Sequence, residues 1–475
     1  MSLTLTDRRA APQSEPGTAR RPRPLEGHSL SAYLCLAGLV TTVFAGQTQY
    51  LGWPFAPNRF LLLASVLVVF HERTRRDRPD DGLRFRVEPV AVVMAATALW
   101  VTCSAIAVGT LHDPYGFYAL VDRIVFPFLF VIVGPFVFRT PQQRDLLLKC
   151  LVLLGIYLGA TAFFEVIGPR SLVRPAFINR PELGIHYGRA RGPFLSAEPD
   201  GLTMLTCAFA AWYAAGRLRW WWRPAALACV GLASLGCLLT LTRSIWVGFV
   251  LAFVVVAFRE PRIRKWFPAV ALVLVLGLLG ALAHFPGLST MVDDRANTQG
   301  SLYDRASTDA AALRMVQAHP LFGVGWVKFV DENQDYVRQA DDIPIGYTKI
   351  EAHNVVLGRA AELGLPGCAL WLLCVLLGPV RALRRTSANP PRGGPVNRVL
   401  GEPETGGWWM IAAATTVGWA VTVMLSPVPY PLPNLLVFML AGIALSDRHP
   451  PVDHAQTQNF PVDHAQTQDR IHHER

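Results

Sequence analysis

Apolar residues along this chain come in long blocks rather than in short periodic stripes. Blocks at 30–47, 55–70, 89–110, 116–138, 146–168, 198–216, 222–241, 244–260, 265–285, 366–383, 406–425 and 432–446 approach the roughly 20 residues a helix needs to cross a ~30 Å hydrocarbon core. A helix satisfies its own backbone N–H and C=O groups, which lipid cannot do. The pattern predicts an all-α polytopic membrane protein of about twelve transmembrane helices. It forms one domain over 30–446, between a disordered N-terminus (1–29) and a disordered tail (447–475). Two polar segments between blocks are long, 169–197 and 286–365, and Gly, Pro and polar residues mark both as loops. The second predicts a helix of its own over 302–318. Ser301 and Asp304 resemble a capping box at its start, and Leu302, Ala306, Ala310 and Leu313 share one face. Pro320, Gly323 and Gly325 end it in PLFGVGW, which lacks the lysine and preceding strand of a nucleotide loop.

Composition agrees with a membrane domain: 52% of the 475 residues are hydrophobic and only 16% charged. The net charge of +10 would raise nucleic acid as a partner for a soluble chain. Here the basic residues gather in short loops, at 71–88, 217–223, 259–265 and 381–405, while loops near 48–54, 111–115 and 426–431 hold no Lys or Arg. This asymmetry places both termini in the cytoplasm and the two long loops on the opposite face. The chain turns apolar at Leu30 without a convincing cleavage site, so the first block is read as a retained helix. The eight cysteines sit in or beside apolar blocks with no CxxC spacing, which predicts buried thiols and neither disulfides nor a metal site. The tail repeats PVDHAQTQ at 451–458 and 461–468, read as a solvated duplication despite His454 and His464.

The loop at 169–197 breaks the charge rule, with Arg170, Arg174, Arg180, Arg189 and Arg191 against Glu182 alone. Such arginines either bind an anion through bidentate guanidinium contacts, or pair with lipid headgroups and acids of the second loop. Arg243, in LTRSIW between two apolar blocks, is a costly charge at the outer boundary unless it snorkels, pairs or serves a site. In EAHNVVLGRAAELGLPG, His353 and Asn354 open a helix-favouring segment that stops at Gly364 and Pro366. A histidine at a helix N-terminus is favoured in its neutral form, which a general base requires, although a lone histidine is more often structural. Asp122 and Arg123, within the fourth block, pair with each other or with neighbouring helices.

Four segments in order resemble the O-antigen ligase and O-antigen polymerase superfamily: RARGPFLSAEPDG (189–201), LTLTRSIW (239–246), Arg305 through AALRMVQAHPLFGVGWVKF, and AHNVVLGRAAELGLPG (352–367). Glu198-Pro199-Asp200 departs from the Asn-Pro-Asn of that family, and Thr308 or Asp309 stands near the place of its tryptophan. The resemblance implies a GT-C-like fold with a partly helical periplasmic loop between helices 9 and 10. It implies transfer of a glycan from a polyprenyl-diphosphate donor to a lipid or glycan acceptor at the outer face of a bacterial inner membrane, inverting and without metal or cofactor. It assigns the donor diphosphate to Arg191 and Arg243 first and to Arg305 and Arg189 second, the general base to His353, and a supporting role to Asn354. A chain polymerase of the same superfamily is the alternative. A twelve-helix secondary transporter is a further one, although no repeat relates the halves, and a non-catalytic scaffold leaves the outer arginines unexplained. No signature sets an oligomeric state; membrane lipids are the expected surroundings.

Overall fold

The computed structural model describes residues 29–53, 55–74, 89–259, 264–265, 300–337, 351–384, 405–427 and 429–446. The ninth block (265–285), the repeats of the tail and the side chains of Ser301, Leu302 and Asp304 lie outside this set. Among the described residues the regular elements are helical. We number the main ones α1 (Leu30–Thr42), α2 (Pro57–Thr74), α3 (Pro89–Ala107), α4 (Pro114–Val137), α5 (Pro141–Val166), α6 (Ala197–Arg217) and α7 (Arg223–Leu239). They continue as α8 (Arg243–Arg259), α9 (Gly300–Ala318), α10 (Phe329–Tyr336), α11 (Val355–Val375), α12 (Thr405–Leu425) and α13 (Pro431–Ser446).

Every apolar block other than 265–285 falls on one of these helices. Among the described residues six helices are long and apolar enough to cross a membrane, with α1 and α13 shorter apolar ones, while the ninth expected span lies outside them. Others fall short for local reasons. Arg59, His71 and Glu72 stand in the end turns of α2, Glu198 and Asp200 open α6, and α8 has only 17 residues with an arginine at each end. Starts follow cap chemistry. Asp113 caps α4 ahead of Pro114, and Thr140 with Gln143 closes a capping box on α5 ahead of Pro141.

The helices α5, α6 and α7 pack together, and α12 and α13 close against α8, α6 and α4. α13 is buried along nearly its whole length and forms the centre. α3 instead exposes Val92, Leu99 and Ile106, an apolar outer face suited to lipid.

The helix bearing the His-Asn pair is joined to the tenth apolar block. Gly364 takes φ 71°, ψ 175°, so the chain kinks there and re-enters the helix instead of ending. Only glycine adopts that conformation without strain. The kink and Pro366 free carbonyls, and each finds a donor: Val324 N–H on Ala361 O (2.9 Å), Gly325 N–H on Glu362 O (2.9 Å) and Trp100 Nε1 on Leu363 O (3.0 Å). PLFGVGW is thus the strap that satisfies a broken helix. α9 packs on α11 through Ala312 and Met315, with Ala311 also buried, while Ala306 and Leu313 face outward. Of the face read from the sequence, Ala306 and Leu313 are thus exposed, and the buried side carries the small residues Thr308, Ala311 and Ala312, which allow the closer approach.

Candidate functional site

The 169–197 loop is a folded plug with its own apolar core of Val173, Phe177, Ile178 and Leu195. Arg191 holds it together. Its side chain is buried, and its guanidinium donates to the carbonyls of Ile178, Arg180, Leu183 and Ile185 at 2.5–3.5 Å. Beneath it, Glu165 of α5 accepts the backbone N–H groups of Arg191 (3.2 Å) and Gly192 (2.9 Å). Asp200 is fully buried below Gly192, with neither carboxylate oxygen hydrogen-bonded. Glu198 bonds His186 Nδ1 (3.2 Å) and Ser196 Oγ (2.8 Å), so this acid faces a histidine of its own loop.

The plug leans on the LTLTR turn. Ala190 N–H donates to Leu239 O at 3.0 Å, which places Arg189 and Arg191 beside the junction of α7 and α8. Leu241 adopts φ 47°, Thr242 Oγ1 closes on Thr240 O (3.0 Å), and α8 begins at once. Arg243 is its first residue and is exposed, at the positive end of the helix dipole.

The second-loop residues form a separate group around the start of α11. Asn354 is the N-cap, and its Oδ1 accepts Val356 and Leu357 N–H at 3.0 and 3.2 Å. His353 immediately precedes it, with Nδ1 3.4 Å from Thr308 Oγ1 on α9. One turn of α9 therefore carries Arg305, Thr308 and Asp309 against the His-Asn pair. Asp309 receives the Asn354 backbone N–H and faces Arg305, while burial pushes its carboxyl above the ordinary value. Arg305 Nε and Asp309 Oδ1 are buried without a hydrogen-bond partner among the described residues.

A charged network beside His353 was not legible in the sequence. Arg123 does not pair with Asp122. Asp122 takes Arg59 bidentately (2.6 and 3.1 Å), and Arg123 reaches Glu351 (3.1 Å) and Tyr115 Oη (2.9 Å). Arg359 bonds Glu362 (2.8 Å) and lies over the buried Trp326 ring at 4.7 Å. Tyr430 contacts Ser196 and senses Glu351 and Arg123, so it links the plug to the second loop. The acid two residues before His353 was the one signal available.

The resemblance assigned all four arginines to one diphosphate; the structure sets Arg189 and Arg191 beside the turn that carries Arg243, and Arg305 with His353 and Asn354 around the start of α11. Residues 228–372 match the family model described as O-antigen ligase. That stretch runs from α7 through α11 and includes Arg243, Arg305 and His353. No curated protein matches the chain. Among the described residues six helices are long and apolar enough to cross a membrane, and over residues 228–372 the chain is similar to the O-antigen ligase family.

Proposed function

We propose that this protein is a glycosyltransferase moving a glycan from a polyprenyl-diphosphate carrier to an acceptor hydroxyl, as an O-antigen ligase does, with inversion and without metal. The observation that carries the reading is the placing of His353 at the head of α11 against Thr308, beside the unpaired Arg305 Nε. The acceptor oxygen attacks the anomeric carbon and gives its proton to His353. The bond from that carbon to phosphate oxygen breaks, and the diphosphate leaves with the electron pair. Exposed Arg243, with Arg305 and Arg189, stabilises the departing charge. Arg191 acts one step back, because its guanidinium is committed to loop carbonyls. Asn354 acts through its cap, fixing the helix that presents His353.

In this proposal the site opens on the periplasmic face of the inner membrane, with both termini cytoplasmic. A chain polymerase would use the same donor site. A twelve-helix secondary transporter remains the second alternative, and Arg123, which it would place at mid-membrane, pairs with Glu351. The test is transfer from a purified polyprenyl-diphosphate glycan by the full chain in lipid nanodiscs. His353→Ala should abolish transfer, and retained transfer would remove the base role. In the host, gene loss that accumulates long carrier-linked chains indicates a ligase; single units on the final acceptor indicate a polymerase.

A further inference from the structure

The connection between α6 and α7 reads RLRWWWR over 217–223 and holds no acid. Trp220–Trp222 form a single 3-10 turn there. The Trp220 side chain is 81% exposed and Trp221 is exposed beside it, although folding usually covers most of an indole. Arg219 lies against this turn, its guanidinium carbon 3.7 Å from the centre of the Trp221 ring. A guanidinium on such a ring uses its face and keeps its in-plane N–H donors for an anion. Lys149 of α5 reaches the same turn, with Nζ 5.6 Å from the centre of the Trp222 ring. Arg217 is neutralised by Asp145 at 2.6 Å. Arg219, Arg223 and Lys149 meet no carboxylate among the described residues, so the turn carries uncompensated positive charge. Its position is equally specific. One of the stretches long and apolar enough to cross a membrane begins at Trp220, and Lys149 lies in another, Pro141–Val166. The turn therefore stands where hydrocarbon meets water, and Leu227 continues the exposed apolar surface along α7.

We propose that this turn, with Lys149 beside it, binds the headgroup phosphate of an anionic phospholipid, in the leaflet that the charge asymmetry assigns to the cytoplasm. Indole rings are at home at headgroup level, with the ring against acyl chain and the N–H among polar groups. Arg219, Arg223 and Lys149 each add to the attraction for an anionic lipid, and salt screens that attraction. A zwitterionic headgroup brings a cation of its own, which these three repel. A soluble anion would use the arginines and leave Trp220 uncovered, so the exposed indole decides for a lipid. The site is independent of the glycosyltransferase reading, since Arg243 stands beyond the opposite end of α7.

The test uses the full chain in uncharged detergent micelles doped with phosphatidylglycerol or phosphatidylcholine, each brominated on its acyl chain so that it quenches nearby tryptophan. Phosphatidylglycerol should quench at about tenfold lower mole fraction than phosphatidylcholine, and rising salt should narrow the gap. The Trp220→Phe/Trp221→Phe protein should lose the part of the quenching that separates the two lipids. The Arg219→Gln/Arg223→Gln protein keeps its tryptophans and should be quenched nearly equally by both, while its thermal midpoint stays that of the unsubstituted protein because both side chains are exposed. Lys149→Gln should narrow the gap less. Equal quenching of the unsubstituted protein by the two lipids overturns the proposal. So does a preference that survives Arg219→Gln/Arg223→Gln, since the lipid then sits elsewhere. Displacement of brominated phosphatidylglycerol by millimolar inorganic phosphate at constant ionic strength overturns it too, in favour of a soluble anion.

Discussion

Arg191 and Arg243 lie on either side of the contact between the plug and the α7–α8 turn, where Ala190 N–H meets Leu239 O at 3.0 Å, yet their surroundings differ. Arg191 is buried and surrounded by four carbonyl oxygens of its own loop. Arg243 is exposed at the first turn of α8, where the helix dipole adds to its positive field. A guanidinium has five donors, and where they are consumed by backbone it becomes a folding element. Where they face outward, it can recruit an anion. Residue type is the same in both cases; burial separates them.

The largest effect that sharpens this comparison belongs to His353, the base of the proposed reaction. His353→Ala should lower transfer by about 10²–10⁴-fold while the protein keeps its elution profile. Arg243→Ala comes next, with a loss of about 10²–10³-fold in turnover and an unchanged thermal midpoint. Arg191→Ala should invert that pattern. It leaves buried carbonyls unpaired at about 1–3 kcal/mol each, so the thermal midpoint falls and activity falls with it. Arg191→Lys should not restore stability, because one ammonium group cannot span the carbonyls of 178, 180, 183 and 185. An Arg191→Ala protein with a normal midpoint and no activity would break the distinction.

Gly364→Ala tests the strap. Its φ of 71° is strained for alanine, and the new Cβ would meet the Leu321 backbone. The expected result is about 1–3 kcal/mol of destabilisation, seen as a lower thermal midpoint, with transfer reduced because the His353 helix shifts. Thr308→Val is the smallest. It removes one 3.4 Å contact to His353 Nδ1, and should leave turnover within a few-fold of that of the unsubstituted protein. A loss as large as that of His353→Ala would make Thr308 a substrate contact instead.

The positions of most helices were legible because lipid imposes a coarse rule: a block is apolar for long enough or it is not. The strap was partly legible, since Pro320, Gly323 and Gly325 signal a turn, but its partners were not. Those partners are carbonyls freed by a kink some forty residues later, and no local pattern reports them. The packing face of α9 was misread for a related reason, since alanines at 311 and 312 carry little hydrophobic signal and gain burial from the closeness they permit.

The sequence by itself determined the apolar blocks, the two polar loops, the arginine excess in the first of them, and the order of motifs ending at His353. These follow from transfer energies and cap chemistry, which act over one or two helical turns. The tertiary structure alone decided that Arg191 is caged while Arg243 is exposed, and that Arg123 leaves its neighbour Asp122 for Glu351. It also paired Arg359 with Glu362 over the Trp326 ring. Charges choose partners by distance and desolvation in the folded state, and those quantities do not exist until helices far apart in the chain have packed.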